Sequence, residues 1–272
     1  MRKRFILLVD FSEYSSHLIS YAGDWSREAN ARILLLHQTL IMAPALADTE
    51  TKEQLAEQTN EEALQKLKAL AEAHLPNSRE VSYFVSENPL HVSLSQVLSD
   101  PFEDLIFVGV KGTGMLKKIF LGSVALQIIR GTKNIVVAMP KEIDRYTHEK
   151  IFVAINEKKP LNTVELNNFL QFVEDKNTHV TFFYLAKPNE KTNDVEKQLR
   201  ELAETYADRF QTDFAIYEGQ NRLEDIKKVI NNNIDEILVI QRGSRFLTDQ
   251  IFRSFLINDL VYEGQTPLVV LP

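Results

Sequence analysis

The chain contains no cysteine. Disulfides, thiolate zinc centres and cysteine nucleophiles are therefore excluded together. Glycine and proline are scarce, nine of each in 272 residues, which excludes collagen-like and low-complexity architecture. Positive charge is not in excess either: 31 Lys and Arg stand against 38 Asp and Glu, a net charge of −7. Nucleic-acid binders grip phosphate backbones with clustered cations, so no nucleic-acid partner is expected. No apolar run approaches the roughly 20 residues that span a bilayer. The opening Arg2-Lys3-Arg4 leads only into FILLV before Asp10 interrupts it, which is short for a secretory signal. The expectation is a cytoplasmic protein with no membrane partner. The histidines (His17, His37, His74, His91, His148, His179) are scattered without ligand spacing such as HExxH, so no metal site is expected.

What is present is a regular alternation. Continuous apolar runs at FILLV (5–9), ARILLLHQ (31–38), VSYFV (81–85), DLIFVGV (104–110) and NIVVAM (134–139) read as strands covered on both faces. Amphipathic stretches lie between them. In Ser12 to Asn30, Ser12 is placed as the cap, and Leu18, Ile19, Ala22 and Trp25 form one stripe. In Thr49 to His74, Leu55, Leu64, Leu67, Leu70 and Ala71 form the buried side. The order then repeats, with strands at 150–156, 178–185, 210–217, 236–240 and 267–271. Helices are expected at 161–174, 193–208, 223–230 and 248–262. The charged run KEIDRYTHEK (141–150) has linker composition. Two α/β domains follow, 1–141 and 150–272. Each is expected to be a doubly wound five-stranded parallel sheet in the order 3-2-1-4-5, flanked by helices. Residues repeat too: Asp10 aligns with Asn156, Gly112 with Gly243, and NIVVAMP with TPLVVLP.

Four of the nine glycines, Gly109, Gly112, Gly114 and Gly122, fall within fourteen residues directly after the fourth strand. Backbone without Cβ lets successive N–H groups turn toward one anion. Gly122-Ser123 then opens a helical pattern over Val124 to Arg130, whose free N–H groups suit a phosphate. The spacing is neither a Walker loop nor a GxGxxG dinucleotide turn. Asp10 ends the first strand. In a 3-2-1-4-5 sheet the strand order reverses between strands one and four, which is where open α/β sheets hold their ligands. Asp10 and Gly109 converge there.

The pattern Gly109-Val110-Lys111-Gly112, nine residues, then Gly122-Ser123 is similar to the nucleotide motif of the universal stress protein family, and ILLVDFSEYS resembles that family's opening. The resemblance runs over both halves. It implies a stress-response regulatory protein that binds ATP or a related adenine nucleotide; whether Mg²⁺ accompanies it is left open, since no acidic pair near the loop stands out as a Mg²⁺ site. The implied contacts are Asp10 and Gln38 toward the adenine portion, and Gly109, Gly112, Gly122, Ser123 and Val124 around the phosphates. Gln38 stands where the family usually has valine, and Ala125 where it often has a second hydroxyl. The family pairs two such domains through their last strands. IVVAM and PLVVL would supply that pairing within one chain, and a homodimer of whole chains is left open.

In the second half, Gly243 and Ser254 persist, while Ile240 and Arg253 align with the first and third glycines and Asn156 with the aspartate. That half is expected to be structural. No catalytic set is evident, so binding is expected rather than turnover, with weak ATP hydrolysis as the upper limit. The alternatives are a nucleotide-free interaction scaffold and a slow ATPase.

Overall fold

The computed structural model describes residues 2–44, 46, 48–76, 80–109, 123–140, 143, 145–156, 159–173, 175, 177–218, 236–243 and 266–272. In the first half, β1 (Arg2–Leu8), β2 (Arg32–Gln38), β3 (Val81–Ser86), β4 (Phe102–Gly109) and β5 (Ile135–Met139) alternate with four helices. These are α1 (Ser15–Ala29), α2 (Thr49–His74), α3 (Leu90–Val97) and α4 (Ser123–Gly131). The second half carries β6 (Lys150–Ala154), α5 (Thr163–Leu170), β7 (His179–Ala186), α6 (Asn193–Tyr206), β8 (Gln211–Glu218), β9 (Glu236–Gln241) and β10 (Leu268–Leu271). The helices expected at 223–230 and 248–262 lie outside the described residues.

Among the described residues the strands join one sheet in the order β3-β2-β1-β4-β5-β10-β9-β6-β7-β8. Each half thus has the 3-2-1-4-5 order, with parallel neighbours throughout. The two halves meet where β5 and β10 pair antiparallel, Val137 opposite Val269. Both strands are buried along their whole length. Such apolar edges left open would invite pairing with other chains, and here each covers the other.

Alternation along each strand feeds two cores. Phe5 and Leu7 face α1 and α2, whereas Ile6 faces α3 and α4. That explains the continuous apolar runs of the central strands, which are buried on both faces. In α1, Leu18, Ile19, Ala22, Trp25 and Ala29 are buried at helical spacing. In α2 only Ala63, Leu67 and Ala71 are fully buried, every fourth residue, and the charged remainder is solvated. Gly23 allows the end of α2 to close on α1, since a Cβ there would stand 2.5 Å from Leu75 Cδ2. No helix among the described residues is long and apolar enough to cross a membrane.

Two local expectations are corrected. Ser12 does not cap α1: the N-cap position is Tyr14, without a side-chain bond. Asp10 captures the turn instead, its Oδ1 accepting from Ser12 N–H at 3.0 Å and from the Ser15 hydroxyl at 3.1 Å. The segment 141–150 is not a solvated linker throughout. Ile143 and Tyr146 are buried, and the Tyr146 ring stacks on Trp25 at 4.8 Å and 7°. Two apolar residues three apart carry no readable period, so their docking was hidden by the charges around them. The same region ties the halves together. Trp25 Nε1 donates to the Phe172 carbonyl at 2.8 Å, and Lys3 Nζ to that of Gln171 at 2.6 Å.

Candidate functional site

The ladders fix which residues leave the sheet together. Leu8 is opposite Leu36 on one side and Val108 on the other. Asp10 and Gln38 therefore lie at the same level, two residues beyond, and Gly109 one residue beyond on the adjacent strand. Asp10, Gln38 and Gly109 share the carboxyl edge at which the strand order reverses.

The strand ends are held by reciprocal bonds. Val9 N–H donates to the Leu36 carbonyl at 2.9 Å, and His37 Nδ1 lies 2.7 Å from the Val9 carbonyl oxygen. That oxygen only accepts, so Nδ1 carries the proton. Asp10 is exposed and oriented by its bonds to Ser12 and Ser15. Phe11 follows with φ 57°, the left-handed region, which costs a residue with Cβ roughly 1–2 kcal/mol. Its ring is held 4.2 Å from that of His37, with Lys66 Nζ 6.0 Å from its centroid.

Beyond β2, Gln38 is exposed, while buried Thr39 donates through Oγ1 to Asn60 Oδ1 at 2.6 Å. Asn60 Nδ2 in turn donates to Glu87 Oε2 at 2.9 Å, joining the ends of β2 and β3 to α2. The Asn60 bond holds the Glu87 carboxyl below its ordinary range. Phe11 and this Thr39–Asn60–Glu87 chain were not singled out from sequence. A positive φ at phenylalanine leaves no compositional signal, and Asn60 is one polar residue in a polar helix.

Among the described residues, a Cβ on Gly109 would meet only Leu18 Cδ1, at 3.9 Å, which is ordinary contact. With respect to the described residues there is thus room at Gly109 for a side chain that the sequence does not supply. Ser123 is the first residue of α4. Val124 is an exposed apolar residue in its first turn, and Ala125 is buried against the sheet. The position at which the family often has a second hydroxyl is therefore used here for packing. Gly112 and Gly122 lie outside the described residues.

In the second half the ladders correct the alignment of Ile240 with Gly109. Gly109 is opposite Met139, the residue before Pro140, and Gln241 is opposite Leu271, the residue before Pro272. Leu7 opposite Phe107 likewise matches Val153 opposite Val239. The counterpart of Gly109 is thus Gln241; the alignment anchored on Gly243 had slipped by one residue. Ile240 points into the core. Gln241 is buried, and its Oε1 accepts from Asn162 N–H at 2.8 Å. Lys159 Nζ donates to the Arg242 carbonyl at 2.6 Å and lies 2.9 Å from where a Cβ on Gly243 would be. Side chains of the protein itself occupy the edge between β6 and β9.

A ten-stranded sheet of two doubly wound halves, each with its strand reversal at one edge, defines a class of α/β protein whose ligand sites are crevices at strand carboxyl ends. The family model for the universal stress protein family matches residues 1–140, and the chain belongs to that family. No curated protein matches the chain. Among solved structures, a universal stress protein from Archaeoglobus fulgidus DSM 4304 is similar over 98% of this chain and 97% of its own, at 18% identity and a TM-score of 0.65. A functionally unknown protein from Pseudomonas aeruginosa PAO1 matches over 99% of this chain and 92% of its own, at 12% identity and a TM-score of 0.55. The cytoplasmic domain of a prokaryotic cation chloride cotransporter matches over 99% and 95%, at 9% identity and a TM-score of 0.53. At these identities the likeness is one of fold.

Proposed function

We propose that the first half binds ATP or a related adenine nucleotide, with Mg²⁺ accompanying the phosphates, in the crevice outside β1 and β4. The protein then acts as a cytoplasmic stress-response regulator, through binding rather than turnover. The observation that carries this reading is the ladder register: with Leu8 opposite Val108, Asp10 and Gly109 leave adjacent strands within one residue of the same level at the strand reversal. The glycine motif begins at that residue. Asp10 and Gln38 serve the base and sugar. Gly109, Gly112, Gly122, Ser123 and Val124 surround the phosphates, with backbone N–H groups and the start of α4 supplying positive potential. The room left at Gly109 suits the close approach of an anion to bare backbone.

The second half is the packing partner. Residues 1–141 and 150–272 form two domains, and the antiparallel seam of β5 and β10 does within one chain what the pairing of two chains does in the family. At the corresponding edge of the second half, buried Gln241 stands in place of Gly109 and Lys159 is bonded to the Arg242 carbonyl, which supports one nucleotide site per chain.

Competition between ATP and a fluorescent ATP analogue tests this in three proteins: unmutated, Asp10→Ala and Gly122→Arg. The expected order is binding tighter than millimolar, binding weakened roughly tenfold by loss of one charge-assisted contact, and no binding. Affinity weaker than millimolar in the unmutated chain, or unchanged by Gly122→Arg, removes the proposal.

A further inference from the structure

Arg242 leaves β9 of the second half and reaches α4 of the first. Its Nη1 donates to the carbonyls of Ile129 at 3.3 Å, Arg130 at 3.3 Å and Thr132 at 2.5 Å. These carbonyls close the C-terminal end of α4, where Thr132 N–H already takes the Ile128 carbonyl at 3.0 Å. The last carbonyls of a helix have no partner within it and form the negative end of its dipole. A guanidinium placed there satisfies both.

Arg242 is itself held in place. Its N–H donates to the Leu271 carbonyl at 2.7 Å, and its own carbonyl receives Lys159 Nζ. The anchor points are therefore on β10 and on the loop after β6, all in the second half. The helix it reaches is short, nine residues from Ser123 to Gly131. Ala125, Ile128 and Ile129 are its fully buried residues. A helix of this length depends on its ends.

We propose that Arg242 is a positioning residue by which the second half sets the firmness of α4, and through it the affinity of the first half for nucleotide phosphates. This rests on the nucleotide reading above. The cation at the C-terminal end and the anion at the N-terminal end act on one dipole with the same sign of effect, so each strengthens the helix for the other. The second half, with Gln241 where the first half has Gly109, thereby keeps a role in binding. Lys159, bonded to the Arg242 carbonyl, braces the clamp.

The test uses the full chain, unmutated and as Arg242→Met, Arg242→Lys and Lys159→Met, with hydrogen exchange and calorimetric ATP titration in Mg²⁺. Arg242→Met is expected to speed exchange at Ile129 to Thr132 roughly tenfold and to weaken ATP binding about threefold to tenfold. Arg242→Lys recovers part of both, and Lys159→Met shows a smaller loss of both. Exchange in α4 unchanged by Arg242→Met overturns the clamp. Faster exchange with ATP affinity unchanged overturns the coupling. Absence of ATP binding by the unmutated protein overturns the nucleotide reading, and the coupling falls with it. That failure is distinguishable because it appears before any substitution is made.

Discussion

Tyr21 and Tyr146 place two phenol rings 5.4 Å apart in the core beneath Trp25. Among the described residues neither hydroxyl has a hydrogen-bond partner. Burial pushes both phenols well above their ordinary titration range, so both stay neutral. An unpartnered buried hydroxyl adds nothing to offset its lost hydration. Tyr146→Phe is therefore expected to leave stability unchanged or raise it by up to about 1 kcal/mol. Tyr146→Ala, which removes the ring stacked on Trp25, should cost about 3 kcal/mol or more. Urea unfolding monitored by Trp25 fluorescence checks both, and a destabilising Tyr146→Phe would show that the hydroxyl has a partner. None of this was legible in sequence, because Tyr146 sits in a charged run that reads as linker. Trp25 was legible, since it falls on the apolar stripe of α1 with Leu18 and Ala22.

At the scale of elements, α2 begins with a side-chain cap, Asp48 accepting from Thr51 N–H at 2.8 Å. The Thr51 side chain, and after it this backbone bond, hold the Asp48 carboxyl below its ordinary range. A carboxylate with a depressed folded value stabilises fully above the unfolded range, near pH 4, and the stabilisation is lost as pH falls through the folded value. Hydrogen exchange at the first turn of α2 should accelerate in acid beyond the intrinsic effect of pH. Asp48→Asn keeps the cap and should flatten that dependence; an equally steep profile in the variant would locate the titration elsewhere. The strands were the most legible elements, because a strand buried on both faces, such as β5 (Ile135–Met139), shows one unbroken apolar run. Register was less so. A shared glycine drew Gly112 onto Gly243, and only the hydrogen-bond ladders show that Gln241 stands where Gly109 does. The cap of α1 was misread because Ser12 and Asp10 are equally good capping types. Asp10 prevails by engaging both the Ser12 N–H and the Ser15 hydroxyl.

On the scale of the whole molecule, the two halves share more than the seam of β5 and β10. The core on the α1 side runs from Phe5 and Trp25 through Tyr146 to Phe169 and Phe172 without a break. Trp25 hydrogen-bonds across it to Phe172. Scanning calorimetry should therefore show one unfolding transition, with calorimetric and van't Hoff enthalpies agreeing. Trp25→Ala, costing about 3–5 kcal/mol, should lower that single transition as a whole. Two resolved transitions, with only one moved by the substitution, would mean that the halves unfold independently. The repeat and its 3-2-1-4-5 order were readable from the recurrence of strand-like runs. The crossing contacts of Trp25, Lys3 and Arg242 were not, since they join residues more than a hundred positions apart.

The central claim is an asymmetric pair, in which the first half takes nucleotide and the second, with Gln241 where the first has Gly109, packs against it. Calorimetric titration of the purified chain with ATP in Mg²⁺ tests it most directly, because affinity and stoichiometry are read together. One site per chain at micromolar affinity is the predicted result. Two sites per chain would contradict the asymmetry. No heat, together with thermal unfolding unmoved by millimolar ATP, would contradict nucleotide binding itself.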